Sequence, residues 1–61
     1  MSFAIGDKIR NINTGVESRI VLIDIVDGKT VYQTDEPYEQ SDFGFVRFSS
    51  DYAKNYEKTG D

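Results

Sequence analysis

A small, mainly β domain of four to five strands with a short C-terminal helix is the fold that this 61-residue chain predicts, on three observations. Residues 3–34 are rich in Ile, Val, Thr and Tyr, which suit a half-buried pleated surface. Turn chemistry breaks that run at short spacing, at Gly6-Asp7, Asn13-Thr14-Gly15 and Asp27-Gly28. Helix signals appear only after Phe48, where two serines precede an acid and later lysines.

The first strand is expected over about 3–12, with a bend at Gly6-Asp7 and Ile9 alternating with Lys8 and Arg10. Asn13-Thr14-Gly15 closes a hairpin, since Gly15 and Asn13 take positive φ at little cost. In the second strand, about 16–26, Arg19, Val21, Ile23 and Ile25 alternate with Ser18, Ile20, Leu22 and Asp24. Its centre is apolar on both faces, so it is expected to be buried on both sides, as in a small barrel where one bent strand serves two sheets. Asp27-Gly28 then signals a two-residue hairpin to a third strand, about 29–34. Residues 35–42, with the only proline and four acids, have no periodicity and predict an exposed loop.

A fourth strand follows over about 43–48, with Phe43, Phe45 and Arg47 on one face and Val46 and Phe48 on the other. A helix over about 50–57 is expected to be capped by Ser49 or Ser50, with Asp51 near its start and Lys54 and Lys58 later. Tyr52 and Tyr56, four apart, are expected to share the face that packs on the sheet. These elements use the whole length, so one domain over 1–61 is expected.

Composition narrows function. With no histidine and no cysteine, the chain lacks the residues for thiol catalysis, disulfides and His-based acid–base pairs. No phosphate-cradling glycine loop, paired catalytic carboxylates or nucleophile elbow appears. A non-enzymatic protein without cofactor or metal is therefore expected. The longest apolar run, Ile20–Ile23, is too short to span a membrane, and no signal peptide is seen, so a cytoplasmic protein with no membrane partner is expected.

The net charge of −4 is not spread evenly. Residues 1–30 hold four acids and four bases, whereas the rest hold seven acids against Arg47, Lys54 and Lys58. Between Lys29 and Arg47 no base interrupts Asp35, Glu36, Glu39 and Asp42. That balance argues against nucleic acid as the main partner, because gripping a phosphate backbone needs clustered Lys and Arg.

The segment IGDKIRNINTGVESRIVLIDIVDGKTVYQT resembles the start of a small SH3-like barrel of the KOW and Tudor type. Gly6, Asp7, Lys8 and Ile9 match the family's opening, Gly15 its turn, and Ile20–Ile25 its long bent strand, over about half the chain. A second glycine usual near Glu17 or Ser18 is missing. The resemblance implies an SH3-like barrel, and for a KOW-like module it would place RNA or nucleoprotein contacts on the first hairpin, at Lys8, Arg10 and Arg19. Alternating surface charge is the plainer account of those three.

Two features point to a protein partner. Asp35, Glu36, Glu39 and Asp42 form an anionic patch suited to a basic protein surface, or to imitating phosphates before a nucleic-acid-binding protein. A solvated loop that keeps the chain soluble is the simpler alternative. Tyr32, Tyr38, Phe43 and Phe45, beside Asp42 or Glu36, would suffice for a Tudor-like cage around a methylated ammonium, or they are core. Tyr38, between Pro37 and Glu39, is the ring least suited to a core and the leading single residue for partner contact. Size, acidity and the absent catalytic set suit a small accessory or inhibitory protein of the kind phages encode. A strand edge and a small core also leave room for a homodimer.

Overall fold

The computed structural model describes residues 2–60. In chain order the elements are β1 (Lys8–Asn11), β2 (Glu17–Val26), β3 (Lys29–Pro37), β4 (Phe45–Ser49), a 3₁₀ helix (Ser50–Asn55) and β5 (Tyr56–Lys58). The strands form one antiparallel sheet in the order β4-β3-β2-β1-β5. As expected, β2 serves two ladders: Glu17, Ser18 and Arg19 pair with β1, and Ile20 onward pairs with β3. The sheet is not closed into a barrel, because β4 and β5 are its two edges and the 3₁₀ helix joins them.

Local chemistry explains the turns. Asp27 (φ 52°) and Gly28 (φ 79°) both lie in the left-handed region, the type I′ pattern whose twist matches the flanking strands. In the first hairpin Asn11 Oδ1 accepts the N–H groups of Asn13 (2.8 Å) and Thr14 (3.2 Å), and Gly15 alone takes a positive φ. β1 starts later than expected. Gly6 (φ 94°) and Asp7 form a turn, with the Asp7 carboxylate accepting Ala4 N–H at 2.8 Å, so Phe3 lies outside the ladder.

The core is Phe3, Ile9, Ile20, Tyr32, Phe48, Ala53 and Tyr56. Phe48 stacks on Tyr56 with centroids 4.1 Å apart, and Phe3 meets the Tyr32 ring edge-on at 5.4 Å. Arranged in this way, aromatic side chains fill volume that a chain with one Leu and no Trp supplies in few other ways.

Three further expectations need correction. Only Ile20 of the apolar centre of β2 is buried (0 % exposed), while Val21, Leu22, Ile23, Ile25 and Val26 are exposed, Ile25 to 64 %. The cause is length: β1 has only four residues and cannot follow β2 to its end, so the β2–β3 hairpin projects past the core. A bulge at Val21 also shifts the register between Ile20↔Thr34 and Leu22↔Gln33.

Residues 35–37 belong to β3, not to the loop. Thr34, fully buried, donates its hydroxyl to Val46 O (3.0 Å) and accepts Glu36 N–H (3.2 Å), carrying the strand across an irregular stretch to the Pro37↔Phe45 pair. The C-terminal helix is a 3₁₀ turn ending at Asn55, and Tyr56–Lys58 add β5 against β1. Ser49 stands at its N-cap without a side-chain capping bond. With three residues per turn, Ala53 and Tyr56 share the buried face, and Tyr52 turns outward at 58 % exposure.

Candidate functional site: the acidic β3–β4 connection

Five ion pairs absorb most of the charge: Lys8–Glu17 (3.3 Å), Arg10–Glu57, Lys29–Asp51, Arg47–Asp24 (3.4 Å) and Lys58–Asp7 (3.6 Å). The guanidinium of Arg10 and the ammonium of Lys29 hold their protons above their ordinary pKa values, first through hydrogen bonds to Glu57 and Asp51 and then through those charges. Among the described residues, the acids in no ion pair are Asp27, Asp35, Glu36, Glu39 and Asp42. Four of these five lie at the end of β3 and on its connection to β4, Asp35 and Glu36 on the strand and Glu39 and Asp42 after it, so folding concentrates the uncompensated negative charge there. All four anionic positions seen in the sequence are thus brought to one end of β3.

Their roles differ by position. Asp35 accepts the backbone N–H of Arg19 at 2.9 Å, which ties β3 to β2. Glu36 is half-buried, whereas Glu39 and Asp42 are exposed. The connection is internally bonded: Tyr38 N–H donates to Gly44 O (2.9 Å), Ser41 N–H to Tyr38 O (3.1 Å) and Gly44 N–H to Ser41 O (3.1 Å). Gly44 permits the tight return at φ 78°. Glu39 and Asp42 therefore sit on a short, internally bonded loop, with Asp35 and Glu36 on the strand that leads into it.

The aromatic residues separate into core and surface. Tyr32 is buried between Phe3 and Phe48, so the four rings considered for an ammonium cage do not converge. Tyr38 is 47 % exposed with its hydroxyl 3.1 Å from Gln40 Oε1, and Phe43 is 58 % exposed. The Phe43 ring already carries a cation: the Arg47 guanidinium carbon lies 3.9 Å from its centroid. Arg47, its side chain 14 % exposed, links that ring to Asp24 on β2, and its Nε is buried with no hydrogen-bond partner among the described residues. The Phe43–Arg47–Asp24 contact was not readable in the sequence, since it joins three segments.

Two shallow concavities flank these features. One of about 350 Å³ is walled by Val26, Val31, Asp42, Phe43 and Arg47, and one of about 470 Å³ by Asn11, Asn13, Ser49, Tyr52 and Asn55. Among the described residues no group of acids converges as a metal site would require, and no helix is long and apolar enough to cross a membrane. The three bases of the first hairpin are each engaged: Lys8 and Arg10 in ion pairs, and Arg19 donating to Gly6 O at 2.7 Å. Comparison with family models, with characterised proteins and with solved structures finds no match for the chain.

Proposed function

We propose that the chain is a non-enzymatic protein-interaction module that engages a basic surface of a partner protein through the β3–β4 connection. The observation that carries this reading is the segregation of unpaired acids: Glu39 and Asp42 stand exposed on an ordered loop beside Tyr38, with Asp35 and Glu36 at its base. Carboxylates so placed raise the encounter rate with a cationic surface, and an exposed tyrosine supplies rigid contact area at low entropic cost. A basic groove that ordinarily holds phosphates is the partner chemistry that fits best, which is how a small accessory or inhibitory protein would act.

The KOW-like alternative, RNA or nucleoprotein binding at Lys8, Arg10 and Arg19, draws less support. Two of those bases are already neutralised by Glu17 and Glu57, so little counterion-releasing charge is left for phosphates.

The test is capture of partners from a lysate by the wild-type chain and by Tyr38→Ala, Glu39→Ala and Asp42→Ala, singly and combined. Basic proteins should be retained by the wild type, released by added salt, and lost from the triple variant. Equal capture by both chains would sink the assignment, and tight low-salt binding of an oligonucleotide would favour the alternative.

A further inference from the structure

Among the described residues, β2 beyond Ile20 has no strand partner on the side opposite β3. The last rung there joins Ile20 to the Gly6-Asp7 turn, with Gly6 N–H donating to Ile20 O (2.8 Å) and Ile20 N–H to Asp7 O (2.9 Å). Among the described residues, no backbone segment pairs with the rest of β2 on that side. The two-residue Asp27-Gly28 loop makes Val26 and Lys29 the closing hydrogen-bonded pair, and antiparallel alternation then turns the N–H and C=O of Ile25 and Ile23 outward. Ile25 illustrates the result: its N–H is taken by the adjacent Asp24 carboxylate at 2.8 Å, not by another strand. Around this edge Val21, Leu22, Ile23, Ile25 and Val26 are 36–64 % exposed.

We propose that this edge is a self-association surface, on which two copies pair β2 with β2, antiparallel, about a two-fold axis at Ile23. An antiparallel edge is complementary to its own two-fold copy, and pairing about Ile23 satisfies the outward N–H and C=O of Ile23 in both chains. Charge selects the register. An axis at Asp24 would set two carboxylates face to face, whereas an axis at Ile23 sets Ile23 against Ile23, Val21 against Ile25 and Leu22 against Asp24. Each Asp24 then keeps its own Arg47. The same register carries the hairpin tip, with unpaired Asp27, toward the end of the copy's edge that holds Arg19, a base without a carboxylate partner among the described residues.

Area sets the strength. The exposed fractions amount to roughly two full apolar side chains, on the order of 200 Å² of apolar surface per copy. A standard stable interface covers about 800 Å² per partner, so the dimer is weak and forms only at high chain concentration. Two chains of net charge −4 repel, so association strengthens as salt screens them. That sign is opposite to the salt dependence of binding a basic partner through the β3–β4 connection, so the two readings fail separately.

Sedimentation of the full chain from low micromolar to millimolar concentration, at two salt concentrations, tests the proposal together with cross-linking. The chain has no cysteine, so Ile23→Cys bonds only to its copy, and residues in a hydrogen-bonded antiparallel pair, about 5.5 Å apart at Cα, lie within disulfide reach. Ile23→Cys should oxidise to a covalent dimer about tenfold faster than Asp42→Cys, on the remote loop. Ile23→Lys, which opposes two ammonium groups, should weaken association at least about tenfold with an unchanged circular dichroism spectrum. If that variant unfolds, the cross-linking rates still decide. A monomer at all concentrations, an equal cross-linking rate for Asp42→Cys, or a folded Ile23→Lys chain that dimerises as before would overturn the proposal. So would an extended peptide that occupies the edge of a chain that stays monomeric.

Discussion

Ile20 and Ile25 lie five positions apart in one strand, and the fold assigns them opposite energetic weight. Ile20 is 0 % exposed where β2 passes from the β1 ladder to the β3 ladder, and Ile25 is 64 % exposed on the projecting hairpin. Ile→Ala removes three carbons, about 2.4 kcal/mol of transfer free energy at a fully buried site. At Ile20 the unfilled cavity adds to this, for a total of about 4 kcal/mol. At Ile25 only the buried third of the side chain counts and solvent fills the gap, so the loss is about 0.9 kcal/mol. A 61-residue domain has roughly 3–9 kcal/mol in all, so Ile20→Ala consumes about half or more of the stability while Ile25→Ala stays folded.

Urea denaturation followed by circular dichroism, at low micromolar concentration so that the monomer dominates, reads the difference directly. Ile20→Val, at about 1 kcal/mol, keeps the measurement in range if the alanine variant is unfolded. Losses within about 1 kcal/mol of each other for the two alanine variants would show that the outer half of β2 is covered, and would refute both the projecting hairpin and the open edge.

Further outcomes follow from the same geometry. Gly28→Ala should cost about 1 kcal/mol in urea unfolding, through its φ of 79°, because beyond its two chain neighbours nothing lies within 4 Å of an added Cβ. Asp35→Ala should lose about 1 kcal/mol with the Arg19 N–H bond, whereas Glu39→Ala should change stability by less than about 0.5 kcal/mol while weakening partner capture. Burial raises the phenol pKa of Tyr56 above its ordinary value of 10.0, so the folded chain holds that proton more tightly than the unfolded one. Its contribution is fully present below pH 10 and is lost as pH climbs through the raised value; phenolate absorbance during alkaline unfolding should show this, and Tyr56→Phe should flatten part of the decline.

Residues that act locally were legible before any coordinates. Asp27-Gly28 adopts the two positive φ angles that its hairpin needs, and Gly15 closes the first turn. Asp51 and Lys54 fall at the ends of the terminal helical turn that their charges suit. The anionic stretch was equally visible, because no base interrupts it. Less legible was its division into a strand-borne anchor at Asp35 and free carboxylates at Glu39 and Asp42, since that depends on Arg19 arriving from β2. Tyr52 and Tyr56 were misread because a four-residue spacing implies a shared face only in an α-helix, and the chain takes the tighter 3₁₀ turn so that Tyr56 can pair with Asn11.

By itself, then, the sequence determined the β class, the positions of the turns, the strand that serves two ladders and the location of excess negative charge. All of these rest on interactions within a few residues: φ preferences, alternation and the running count of charge. Tertiary structure decided which half of β2 is core, which acids are spent on ion pairs, which rings remain outside and where the sheet is left open. Burial and pairing depend on what arrives from elsewhere in the chain. The stretch from Val21 to Val26, apolar but for Asp24, reads as interior in any window, and the shortness of β1 leaves its apolar side chains at the surface.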